Sequence, residues 1–572
     1  MESTRFPYGV SNFSKLVTEG HIYVDRTAFL EKLEQLDSSY HFYLRPRRFG
    51  KSLAVSVMEH YYGRQHKGDF ERLFGKYYIG QHPTPRANAY MVLKFDFSGI
   101  ETSTLDSIMS SFHGKVKIGV LDMLWQYPCF FDEKDFEAIE SQNDPSQVMA
   151  KFLQLARAKA PGEKVFLLVD EYDHFTNEII AFHPGNFQEI VSRNGPVRKF
   201  FEVIKEGTQT GIIDRMFLTG VSAVTLDSLT SGFNIGINLS LDPGLHDFMG
   251  FTEEEVGGLL RTAGVPAGEL DRVLADVRSW YNGYLFSAEA ANRLYNPDMV
   301  LYFAMHYRQR KKYPATLLDT NISSDYGKLR RMLGVGDPAG NFEVLEKIIQ
   351  DGSVSSAITV QFSFERTWTR EDFVSLMFYM GLLTVQKAVL SEMVFQVPNH
   401  VIRELYYRFF QEILLQRANL HTDDLRMNRR MAALALEEDI QPLKEALVTV
   451  LKNLDNRDAM QFGEKHVKTA LMALMVPTGV YACYSEHPLG QGYADIALFR
   501  RPPILEPKRQ YLFELKYLKK SEAAQLEKTA EEGRKQLRGY MAHPSIRAHG
   551  DFTAYLWVVV GQEVKVLEEV GI

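Results

Sequence analysis

Apolar residues along this chain fall into two rhythms: short unbroken runs, and longer runs spaced for one face of a helix. His41-Phe42-Tyr43-Leu44 is a run of the first kind, and residues 53–62 behind it carry helical spacing. Val165-Phe166-Leu167-Leu168-Val169 is a continuous apolar strand that ends in Asp170-Glu171-Tyr172-Asp173. Arg215-Met216-Phe217-Leu218-Thr219-Gly220-Val221-Ser222 is another, ending in hydroxyls. Thr252 opens a helix, with Glu255 three residues on to complete a capping box. Residues 369–380 predict a helix, 382–386 and 393–397 two strands, and 401–415 a further helix. A helix followed by a hairpin predicts a winged-helix module. Residues 370–380 hold few basic side chains and set Phe373, Leu376 and Met377 at helical spacing, which favours a packed lid over a nucleic-acid contact.

Towards the C-terminus the two rhythms alternate more tightly. Residues 425–454 predict helix, as does the mostly apolar run from Glu464 to residue 475. Residues 492–499 and 511–517 predict two strands around the turn-forming Arg501-Pro502-Pro503. Residues 530–540 predict a helix and 554–560 a last strand. In the second strand Tyr511, Phe513, Leu515 and Tyr517 share one face, while Glu514 and Lys516 share the other. An acid and a lysine side by side, with Asp495 on the strand before, suit a divalent cation held against a phosphate. Carboxylates are hard oxygen ligands for Mg²⁺, and a neighbouring ammonium can orient water or offset developing charge.

Composition narrows the class. At 572 residues the chain is too long for one core, and 45% hydrophobic with 24% charged residues argues against extended disorder. The net charge of −7 hides a basic stretch, because residues 500–547 alone carry +6, as a binder of phosphate backbones would. The two cysteines, Cys129 and Cys483, show neither metal-ligand spacing nor a disulfide framework, so a reducing compartment is expected. The N-terminus has no signal-peptide pattern and no apolar run is long enough to cross a bilayer, which predicts a soluble, cytoplasmic protein without a membrane partner.

The strand at residues 41–44 runs into Arg45-Pro46-Arg47-Arg48-Phe49-Gly50-Lys51-Ser52. Gly50, Lys51 and Ser52 fit the end of a phosphate-binding loop, with the lysine for the β and γ phosphates and the hydroxyl for Mg²⁺. Arg45 stands where the general G-x-x-x-x-G-K-[ST] pattern has its first glycine. The acids closing the 165–169 strand have a Walker B layout, the first in the metal's shell and the next acting on the attacking water.

Two resemblances follow. The Asp495…Glu514-x-Lys516 pattern resembles the PD-(D/E)XK nuclease superfamily. That likeness implies Asp495 and Glu514 as metal ligands, Lys516 as the catalytic lysine, Glu464 as a first-helix acid at the metal, and Gln536 on the later helix beside metal or nucleic acid. The combination of Phe6-Pro7-Tyr8-Gly9, Tyr23-Val24-Asp25-Arg26-Thr27, the Arg45–Ser52 loop, Asp170-Glu171-Tyr172-Asp173, Trp280-Tyr281-Asn282-Gly283-Tyr284 and Tyr295-Asn296-Pro297 resembles the bacterial AAA-ATPase-like family. In that family the arginine-rich loop is the usual form. The likeness implies ATP held by Arg48, Phe49, Gly50, Lys51, Ser52, Leu53 and Asp170, with Mg²⁺ at Ser52 and Asp170 and Glu171 as catalytic base.

Together these predict an α/β multidomain protein: an AAA-like P-loop core over 1–245, a helical lid with a winged-helix module over 246–424, and a nuclease-like α/β domain over 425–572. The expected activity is ATP hydrolysis plus Mg²⁺- or Mn²⁺-dependent cleavage of nucleic acid, DNA in the first instance, under nucleotide control. The competing expectation is a nucleotide-switched binding protein with an inactive nuclease fold. Self-association as a homo-oligomer is compatible with either.

Overall fold

The structure is a computed structural model that describes residues 5–101, 103–174, 195–223, 235–319, 332–360, 362, 368–454, 463–490 and 492–571. The chain forms two compact units, one of Met1–Lys311, Leu318–Leu345 and Ser353–Asn399, the other of Lys312–Leu317, Glu346–Gly352 and His400–Ile572.

The first unit is built on strands β1 (Tyr40–Leu44), β2 (Met91–Asp96), β3 (Val165–Asp170), β4 (Ile213–Gly220) and β5 (Ile237–Asn238). They lie parallel in the order β2-β3-β4-β1-β5. Every residue of β3 is buried, as a strand covered on both faces requires. One strand, β4, separates β1 from β3, so the loop after β1 and the acids after β3 open at the same carboxyl edge, where ligands of such sheets bind. Helix α1 (Lys51–Tyr62) follows the loop, and Gly50 caps it at φ 93°, a left-handed conformation that a side chain would strain. Further on, α2 (Pro297–Arg310) starts from Asn296, whose side chain accepts the Asp298 amide at 3.0 Å.

Helix α3 (Arg370–Tyr379) belongs to the same unit, beside a small antiparallel sheet of β6 (Ser353–Ser356), β7 (Thr384–Val389) and β8 (Glu392–Gln396) in the order β6-β8-β7. Asp372 to Tyr379 are all buried. The hairpin is tied to the Tyr284–Phe286 segment, where the Leu285 amide donates to Thr384 Oγ1 at 2.6 Å and the Val385 amide to the Leu285 carbonyl at 3.1 Å.

In the second unit α4 (Glu464–Met475) precedes a sheet of β9 (Ala482–Leu489), β10 (Gly492–Phe499), β11 (Gln510–Leu518), β12 (Phe552–Val560) and β13 (Glu563–Glu569). The order is β13-β12-β11-β10-β9; β11 and β12 run parallel and the other pairs antiparallel. Helix α5 (Leu526–Met541) buries Ala530, Gly533, Leu537 and Met541. This stripe, at helical spacing, joins the core formed by Leu512, Leu556 and Val558. The stretch predicted as helix over 425–454 is broken: Met427–Ala432 passes through a π turn at Ala433–Glu437, ends at Glu438 with φ 62°, and restarts as Gln441–Asn453. Among the described residues no helix is long and apolar enough to cross a membrane.

Candidate functional site

At the P-loop, sequence places a long cation where a glycine is usual, and the fold absorbs it. Arg45 is 1% exposed, its guanidinium lying 4.3 Å from the Tyr43 ring centre and 4.1 Å from that of Phe286. It donates to the carbonyls of Leu44 at 2.9 Å, Ser240 at 2.7 Å and His246 at 3.3 Å, and to the Tyr43 hydroxyl at 2.6 Å. Its Nε is buried without a partner, but the four bonds from Nη1 and Nη2 and the two aromatic faces make the burial of the guanidinium tolerable. Arg45 therefore braces the loop and does not face its ligand.

The other loop residues surround a cavity of about 470 Å³. Arg47, Arg48, Phe49, Gly50, Lys51, Ser52 and Leu53 line it from the loop, Tyr23 and Val24 from the N-terminal segment, and Pro297, Asp298 and Leu301 from α2. Lys51 is buried, and its ammonium donates to the carbonyls of Arg45 at 3.1 Å and Pro46 at 3.0 Å. Burial lowers its pKa, opposed by the charges of Glu171, Asp170 and Asp173. Arg48, at φ 66°, pairs with Asp298 at 2.7 Å, and the Asn296 side chain donates to the Arg47 carbonyl at 3.4 Å. Phe49 packs edge-on against Tyr284 and Phe286.

The acids after β3 divide their tasks. Burial pushes the Asp170 carboxyl up to about 6, against a hydrogen bond from Ser52 and the charge of Lys51. Glu171, at φ 51°, lines the cavity and meets His174 Nδ1 at 3.2 Å. Asp173 is structural: it accepts from the Val221 amide at 3.0 Å and from the Ser222 amide at 2.6 Å and hydroxyl at 2.9 Å. The hydroxyls at and beyond the end of β4 turn inward. Thr219 Oγ1 donates to the Tyr43 carbonyl at 2.8 Å, and Ser222 serves Asp173. Buried hydroxyls need a partner, and here the sheet supplies it.

In the second unit the register decides the geometry. Ile496 pairs with Phe513 and Ala497 with Leu512, so Asp495 stands opposite Glu514 on one face, two residues from Lys516. Asp495 Oδ2 accepts the Leu515 amide at 2.8 Å, and Lys516 Nζ donates to Glu514 Oε1 at 2.7 Å. Glu514 is 2% exposed, and its other oxygen, Oε2, is buried without a hydrogen-bond partner. Burial, and after it the charge of Asp495, pushes the Glu514 carboxyl up to about 7. Burial raises Asp495 too, against the Leu515 amide and Lys516. Burial works against charge on Lys516, but Glu514, Glu464 and Asp495 outweigh it and hold the ammonium above its ordinary value. A buried carboxylate oxygen without a donor is what a hard cation would satisfy, so Asp495 and Glu514 fit Mg²⁺ or Mn²⁺. Among the described residues no group of three or more His, Cys, Asp and Glu side chains is set to hold a metal by itself. The carboxylate pair leaves the other positions of such a cation to water and phosphate oxygens.

Glu464 sits on the first turn of α4, where burial raises its carboxyl, Lys516 opposes that and Asp495 adds to it. Gln536 is exposed on α5. One turn on, Tyr540 reaches the start of β10, where a Cβ added at Gly492 would lie 3.0 Å from its ring. Two further charges near Asp495, Lys468 and Glu486, carry no motif. Their one trace in the chain is that Lys468 falls four residues after Glu464, on the same helix face.

Residues 7–230 match the model of the family described as predicted AAA-ATPase, and residues 462–569 that of the PD-(D/E)XK nuclease superfamily. An uncharacterized protein in the vnfD 5′ region of Azotobacter chroococcum mcd 1 is 27% identical over 390 residues, which are 67% of this chain. The chain spans 65% of the length of that curated relative. Among solved structures, the Walker-type ATPase PabY2304 of Pyrococcus abyssi aligns at a TM-score of 0.39 and 10% identity, over 67% of this chain and 94% of that one.

Proposed function

We propose that this chain, a predicted AAA-ATPase joined to a C-terminal domain of the PD-(D/E)XK nuclease superfamily, is an ATP-binding enzyme whose nucleotide state controls metal-dependent cleavage of nucleic acid. The observation that carries the reading is the alignment of Asp495, Glu514 and Lys516 on one face of neighbouring strands, with Glu514 Oε2 buried and unpartnered. A divalent cation held there supplies Lewis-acid polarisation of a phosphate oxygen. The chain's own residues do the rest. Asp495 and Glu514 fix where the phosphate sits, and Lys516 orients the attacking water or offsets charge on the phosphate.

On the nucleotide side, the cavity at the loop is large enough for a nucleotide-sized ligand. Lys51 would meet the β and γ phosphates of a bound ATP, Ser52 and Asp170 would hold its Mg²⁺, and Glu171 would act on the attacking water. The boundaries 1–245, 246–424 and 425–572 belong to this proposal, as does the winged-helix lid. The order β6-β8-β7 beside α3 supports the lid, and the burial of that helix leaves it no open face for nucleic acid. Both cysteines are free, in keeping with a reducing cytoplasm.

The test is Mn²⁺-dependent nicking of plasmid DNA by the full chain, with and without ATP or a non-hydrolysable analogue. Cleavage that depends on nucleotide and vanishes in Asp495→Ala supports the reading. A chain that binds both ligands yet cuts neither DNA nor RNA is instead a nucleotide-switched binding protein.

A further inference from the structure

Lys468 lies on α4 one turn after Glu464 and is 6% exposed. Among the described residues its ammonium has one hydrogen-bond partner, Glu486 Oε1 at 2.7 Å. An ammonium has three donors, so this one is buried with capacity unused. Its partner is the opposite case: the Glu486 side chain is 52% exposed.

The placement of Glu486 adds to this. Ala494 pairs with His487 and Ile496 with Ser485, so Glu486 is the β9 residue opposite Asp495. Asp495 in turn stands opposite Glu514, and the three acids form a row across β9, β10 and β11. Glu486 holds φ 52°, a conformation uncommon outside glycine, and its rung with Asp495 is the one the ladder skips. The positive charge of Lys468 acts on the carboxyls of both Asp495 and Glu464. Four carboxylates, Glu464, Glu486, Asp495 and Glu514, face two ammonium groups, and one divalent cation balances the two charges left over. A phosphate then brings new negative charge into a neutral site, and the buried cation able to meet it is Lys468, once Glu486 lets go.

We infer that Lys468 is a second phosphate-contacting cation of the nuclease site, and that Glu486 holds it at rest by standing in for the nucleic-acid phosphate. The inference rests on the nuclease reading above and deepens it. Glu486 is thus a competitor of the substrate, and removing its charge should improve binding.

The experiment measures anisotropy of a short labelled DNA duplex and of an RNA of the same sequence on the full chain, in Ca²⁺ and in Mn²⁺. Glu486→Gln should bind about tenfold tighter, the worth of one charge-assisted hydrogen bond regained. Glu486→Ala should show the same gain by a second route. Lys468→Met should bind about tenfold weaker, Lys468→Arg should restore most of the loss, and Glu486→Gln with Lys468→Met should show no gain. A gain that persists when Glu486→Gln is combined with Lys468→Met would be relief of repulsion alone and would overturn the inference as well. If neither Glu486 variant binds either probe more tightly than the unsubstituted chain, the inference is overturned. If the gain appears and no form cleaves, the inference stands and the cleavage reading falls.

Discussion

In the P-loop unit Lys51 donates to two neutral carbonyls, at 3.1 and 3.0 Å, whereas in the nuclease-like unit Lys516 donates to a carboxylate at 2.7 Å. The difference is chemical as much as geometric. A carbonyl gives up an ammonium to a phosphate readily, because charged acceptors bond roughly twice as strongly as neutral ones. A carboxylate gives it up only when another cation takes the carboxylate. Lys51 is therefore free to meet an anion directly, whereas on the proposed reading Lys516 is freed only when another cation takes Glu514. The two also differ in how they are assembled. The nucleotide cavity draws on Val24, Lys51, Glu171 and Leu301, far apart in sequence. The acidic site is made almost wholly by three adjacent strands and one helix.

The largest effect that separates the two sites is expected from Asp495→Ala. Losing a metal ligand should reduce Mn²⁺-dependent nicking roughly a thousandfold, the several kcal/mol that such a cation contributes. ATP affinity by calorimetry should not move, since the sites lie in different units, and a parallel loss would dissolve the distinction. Arg45→Met comes next. It leaves the Ser240 and His246 carbonyls without their donor and should cost the first unit about 3 kcal/mol in urea unfolding. An unchanged midpoint would mean the bracing role is wrong. Glu171→Gln should slow ATP turnover about a hundredfold while leaving ATP binding intact; wild-type turnover would remove it as the base. Lys51→Ala should weaken ATP by about 2 kcal/mol, less than the chemical steps lose, because only a charged partner is removed. Smallest of all is Gln536→Ala, at an exposed position, expected to change cleavage less than about threefold as surface substitutions do. A larger loss would place that glutamine on the substrate after all.

How much of this was legible in the chain depended on where each strand lies in its sheet. The inner strands β1, β3 and β4 of one sheet, and β10, β11 and β12 of the other, announce themselves by apolar runs, because both their faces are covered. The outer ones do not. β2 carries Lys94 and Asp96, β5 is two residues long, β9 holds Glu486, His487 and Pro488, and β13 holds Glu563, Lys565, Glu568 and Glu569. Edge strands carry charge and proline to discourage further pairing, and that erases the pattern. The site follows the same division. Alternation along β11 was enough to put Glu514 and Lys516 together. Glu486 stayed hidden because its strand did, and Lys468 because its partner did. The pairing of Arg48 with Asp298 joins residues 250 apart, which no local pattern records.

Arg45 has one more consequence. Its guanidinium fastens the front of the loop to Ser240, His246 and the rings of Tyr43 and Phe286, so that part of the loop moves only by tearing those bonds. The rear, from Arg47 to Gly50, is tied by the largely buried Arg48–Asp298 pair, a long hydrogen bond from Asn296 and the packing of Phe49 on Tyr284 and Phe286, among other contacts. The loop is thus a door with a fixed hinge at Arg45 and a latch at Asp298. On the proposed reading, loosening the latch with Asp298→Asn should shorten the residence of ATP, seen as a faster off-rate, without touching the chemistry that follows.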